Sequence, residues 1–202
     1  MLSVLIIGLI NSFNITILRA FLTLPIDETL EVPASLKEHL WIYILLVVIF
    51  SPVMEEVIFR LSLIFDPVNI ALSISTLIAL IVHKVSNDFI SIISFLLLFF
   101  LINGLAFFYR LSFISFWNKN FKYIFYFLSI SFGLVHIGNY KFIEGYQYFI
   151  APILIFPQLA IGFILSFTRL YYKKVFLICI FIHVFMNMIS ISIFLLQYSH
   201  QD

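Results

Sequence analysis

Phe89 to Tyr109 reads FISIISFLLLFFLINGLAFFY, an apolar run without a charged residue. About 20 such residues in helical form cross the hydrocarbon core of a bilayer. The rest of the chain has the same character. Of its 202 residues, 63% are apolar and only 10% are charged, whereas soluble domains hold roughly 45–50% and about 25%. A soluble fold of this size could not hide that much hydrocarbon, because its surface must be wetted. The chain reads as an all-α integral membrane protein.

The same numbers exclude other classes. Disorder needs polarity. Nucleic-acid binding needs a basic excess, and 11 Lys+Arg against 10 Asp+Glu leave a net charge of +1. Cys179 is the single cysteine, so no intramolecular disulfide forms. No repeat or Gly/Ser linker breaks the chain, which reads as one domain over residues 1–202.

Seven spans are expected: Leu2–Leu22, Leu40–Phe65, Val68–Val82, Phe89–Tyr109, Phe121–Ile137, Tyr148–Thr168 and Val175–Leu196. Pro52 is expected to kink the second. The first lacks a basic start and a small-residue cleavage site and is read as a retained helix. Arg110, Lys119 and Lys122 flank one expected loop, and Arg169, Lys173 and Lys174 flank another. Lys/Arg-rich loops face the cytoplasm, which predicts a cytoplasmic N-terminus and leaves Asp27, Glu28, Glu31 and Glu38 outside.

His39, His83 and His200, with Asp66, Asp88, Lys141 and Glu144, fall in loops or at helix ends. Within apolar sequence stand Glu55, Glu56, Arg60, His136, His183 and Asn187. A charge at membrane depth costs at least about 2.5–3.5 kcal/mol on insertion scales, so such groups face a polar cavity and act there. In SPVMEEVIFR, Glu56 and Arg60 are four apart and share a helix face, an arrangement for an ion pair. Glu55 lies about 100° round the helix and can point into a cavity as a carboxylate. Phe132 and His136 share a stripe, as do His183 and Asn187. At about 1.5 Å rise per residue, Glu55, His183 and His136 sit roughly 16, 13 and 21 Å from the expected cytoplasmic helix ends.

A carboxylate, two imidazoles and an amide around a wet pocket activate water in either of two ways. A glutamate acts as general base while His or Asn groups stabilise an oxyanion. Alternatively Glu and His hold a divalent ion, Zn²⁺ first, which lowers the pKa of bound water. HExxH and GxSxG are both absent. Each residue alone also reads as structural glue between helices, and a proton or ion pathway fits the composition.

EExxxR at Glu55–Arg60, FxxxH at Phe132–His136 and HxxxN at His183–Asn187, in that order within hydrophobic helices, resemble the CPBP family of intramembrane proteases. That family includes type II CAAX prenyl proteases and bacterial proteins of bacteriocin processing or self-immunity. The resemblance covers about residues 40–196. It implies a hydrolase with Glu55 as the water-activating base, Glu56 as its support and Arg60 tying the acidic helix together. It further implies that His136 binds or activates the water, and that His183 and Asn187 bind a metal or stabilise the oxyanion. Phe132 is support. If a metal is used, its ligands are Glu55, His136 and His183; a metal-free glutamate mechanism is the alternative. The implied substrate is a hydrophobic or membrane-tethered peptide, the setting a bacterial cell membrane, with no nucleic-acid partner. The competing reading is a non-catalytic membrane protein, either an immunity factor or a small transporter.

Overall fold

The computed structural model describes residues 27–28, 39–141, 145–173 and 175–198. The expected first span, Leu2–Leu22, lies outside them, as do Glu31, Glu38, Glu144, Lys174 and His200. The described chain is helical apart from one two-residue ladder. β1 (Asp27–Glu28) pairs antiparallel with β2 (Tyr140–Lys141), Asp27 opposite Lys141. The helices are α1 (Leu40–Leu45), α2 (Ser51–Phe59), α3 (Pro67–His83) and α4 (Asp88–Phe108). They continue with α5 (Arg110–Val135), α6 (Ala151–Leu154), α7 (Phe156–Tyr171) and α8 (Leu177–Tyr198).

Three runs are long and apolar enough to cross a membrane: Leu40–Leu63, Asp88–Phe108 and Arg110–Asn139. Tyr148–Leu154 and Phe156–Tyr171, bent by 43°, make a fourth if taken as one span. Pro67–His83 and Leu177–Ser192 are apolar but shorter. The expected count of seven is therefore not reached among the described residues.

The expected loop between Tyr109 and Phe121 is corrected: α5 runs through it. From Arg110 to Leu128 the chain has no glycine or proline, so nothing competes with the helix. The Lys/Arg residues that would have marked a cytoplasmic loop sit on that helix. At about 39 Å, α5 is longer than the hydrocarbon core of about 30 Å.

Local chemistry sets the ends. The Asp66 carboxylate accepts from Val68 N–H at 2.9 Å and Asn69 N–H at 3.4 Å, with Pro67 in the first turn, where its missing N–H costs nothing. Asn87 caps α4 by accepting from Ile90 N–H at 3.0 Å. An exposed His83–Asp88 pair at 3.1 Å closes the α3–α4 turn.

The chain divides into two compact units. One comprises Val53–Leu128 and Ser166–Ile180. In it Ser91 Oγ donates to Ala79 O at 2.7 Å, joining α3 to α4, and Ser73 Oγ donates to Ile58 O, joining α3 to α2. Only 6% of the α4 window is buried, as suits a helix that faces lipid on most sides. Cys179, also in this unit, has no exposed surface. Its reaction with a maleimide therefore reports unfolding.

The other unit comprises Met1–Pro52, Ser129–Leu165 and Phe181–Asp202. One apolar cluster in it gathers Tyr43, Val48 and Ile191, with Val47 and Val184 against them. A second gathers Tyr140, Leu154 and Ile155 with Ile137, Ile150 and Leu159.

Candidate functional site

The polar residues fall into two groups, one in each unit. Glu55, Glu56 and Arg60 belong to Val53–Leu128; Phe132, His136, His183 and Asn187 belong to the other unit.

On α2 the two acids differ. Glu56 and Arg60 have no exposed side-chain surface and stand 3.5 Å apart across one helical turn, the pair that their spacing predicts. The Arg60 guanidinium lies 5.8 Å from the Phe59 ring and also interacts electrostatically with Glu55 and Cys179. Glu55 is half-buried, on a face next to that of Glu56. Both acids thus act on Arg60, Glu56 from full burial and Glu55 from a partly exposed side chain with one buried oxygen.

In the second group, Phe132 is 1% exposed and its ring contacts two imidazoles. The His136 ring centroid is 4.9 Å away and that of His183 is 5.5 Å away, edge-on at 75°. His136 Nδ1 donates to Phe132 O at 2.7 Å; a carbonyl can only accept, so this nitrogen carries the proton and the lone pair is on Nε2. The bond forms where α5 gives way to the tighter turn His136–Asn139. His183 is 4% exposed. Asn187, one turn further along α8, donates from Nδ2 to Val47 O at 2.9 Å.

Two glycines that the motif reading did not single out permit close packing here, Gly162 against Phe132 and Gly133 against Leu159. A Cβ on Gly162 would stand 2.8 Å from Ser129 O and 3.0 Å from Phe132 Cδ1. A Cβ on Gly133 would clash with the Leu159 side chain. Ser129-x-x-x-Gly133 and Gly162-x-x-x-Ser166 are small-xxx-small pairs, the pattern that lets membrane helices approach closely. That was the available signal. Gly162→Ala is expected to destabilise by about 1–3 kcal/mol, as overpacking does, measured as a lower temperature of Cys179 labelling in detergent.

Among the described residues no group of three or more His, Cys, Asp or Glu is gathered so as to hold a metal ion. The expected zinc donors are divided between the two units, Glu55 in one and His136 and His183 in the other. An open groove of about 520 Å³ at the end of α7, lined by Phe167, Thr168, Leu170, Tyr171 and Tyr172, touches none of the motif residues. No protein family, curated protein or solved structure matches this chain.

Proposed function

We propose that this chain is an intramembrane endopeptidase that cleaves a hydrophobic or membrane-tethered peptide with a glutamate-activated water. The observation that supports this reading most is the division between adjacent acids. Glu56 is buried on Arg60, while Glu55 keeps some exposure in a helix otherwise built for an apolar setting. A half-buried carboxylate at membrane depth is costly, and catalysis is a reason to keep it.

In the proposed reaction Glu55 takes a proton from water as the oxygen attacks the peptide carbonyl, then passes that proton to the leaving amine. His136 Nε2 accepts a hydrogen bond from the same water, and His183 donates to the oxyanion. Glu56 and Arg60 hold the acidic helix. This requires the acid of one unit and the imidazoles of the other to share one solvent molecule.

The seven-span topology with a cytoplasmic N-terminus, in a bacterial cell membrane, belongs to the same proposal. The β1–β2 ladder supports it, since both strands fall on the external side in that topology. The deciding experiment is peptide mapping of membranes from cells carrying the wild-type chain or Glu55→Gln. Fragments present only with the wild type are expected. Identical peptide profiles at equal protein levels would overturn hydrolysis and leave the immunity or transport reading.

A further inference from the structure

Residues Leu46–Phe50, between α1 and α2, form a π-helical turn. In such a turn the N–H of residue i+5 bonds the carbonyl of residue i, and Ser51 N–H accordingly goes to Leu46 O. Two consequences meet at Val47. Its α-helical donor, Ser51, is committed one residue back. Its π-helical donor would be residue 52, which is proline and has no N–H. The main chain therefore supplies the Val47 carbonyl with neither regular donor. The Asn187 amide does so instead, at 2.9 Å. Around this bond lie Tyr43, Val48 and Ile191, with Ile44 and Val184 against them. In that apolar setting an unbonded carbonyl is expensive.

We infer that Asn187 is a positioning residue, whose amide caps the Val47 carbonyl and locks α8 to the π-turn that precedes α2. A π-turn carries one extra residue and leaves one carbonyl without its regular donor, so it persists only where another group meets that carbonyl. The helix lock stands without reference to the reaction; its importance for cleavage rests on the proposed peptidase activity.

The test is a double-mutant cycle in the full chain, because Pro52→Ala restores an N–H that can serve the same carbonyl region. Asn187→Ala, Pro52→Ala and the double variant are compared by the temperature of maleimide labelling at Cys179. Asn187→Ala is expected to lower that temperature by several degrees. Pro52→Ala should recover at least half of the loss in the double variant and raise the wild type by much less. If Asn187→Ala alone does not accumulate in membranes, accumulation of the double variant is the same rescue. Additive effects, or an unchanged labelling temperature in Asn187→Ala, overturn the lock. A second readout is the yield of Glu55-dependent fragments, which should recover in parallel with stability. Recovery of stability without cleavage would instead make Asn187 a group that touches substrate and overturn the positioning role. If the wild type yields no such fragments, the peptidase reading fails while the labelling cycle still decides the lock.

Discussion

Arg60→Met is expected to destabilise the protein by about 3–5 kcal/mol, the usual consequence of stranding one member of a buried ion pair. Glu56 and Arg60 have no exposed side-chain surface and lie 3.5 Å apart. Removing the guanidinium leaves the Glu56 carboxylate in an apolar interior without its cation. The sign reverses when both charges go. Glu56→Gln with Arg60→Met should be far closer to the wild type than Arg60→Met alone, since replacing a whole buried pair by uncharged side chains of similar volume is often neutral or stabilising. Glu55, which is half-buried, also interacts with Arg60. The temperature of Cys179 labelling in nanodiscs reads all three variants. Equal losses in the single and double variants would show that side-chain volume, rather than charge, holds α2 in place.

On the proposed peptidase reading, Glu55→Gln is the second large effect, and it falls on activity more than on stability. The amide keeps the shape of the side chain and removes the base. Loss of a positioned general base lowers turnover by about 10²–10⁴-fold. Because Glu55 is half-buried while Glu56 is fully buried, the labelling temperature should fall much less than in Arg60→Met. Cleavage of a membrane-tethered reporter peptide identified by peptide mapping measures the first quantity. Full activity in Glu55→Gln would remove the glutamate from the chemistry. Glu56→Gln should show the opposite pattern, with unfolding at a lower temperature and activity falling as the folded fraction falls.

The amino-acid sequence was most legible where lipid is the solvent. A run such as Phe89–Tyr109 can satisfy its backbone in hydrocarbon only by closing on itself, so composition alone predicts the helix found at Asp88–Phe108. The i,i+4 pair of Glu56 and Arg60 was legible for the same local reason: helix pitch places them together whatever packs outside. Legibility failed at Arg110–Asn120. A lysine or serine does not stop a helix, and the break falls at Tyr109, next to the expected span end, with the helix resuming at once.

Helix-forming stretches, the identity of the acids and imidazoles, and the spacing of each stripe were determined by the order of residues, because helical geometry acts over one or two turns. Tertiary structure alone decided the rest. Pro52 announces an irregular helix, but not that its irregularity is a π-turn whose spare carbonyl is met by an amide 140 residues away. Likewise, Gly162 reads as a small residue, while the reason for its size is Phe132 pressed against it. Hydrogen bonds and steric contacts between distant segments depend on which helices become neighbours, and no local periodicity encodes that choice.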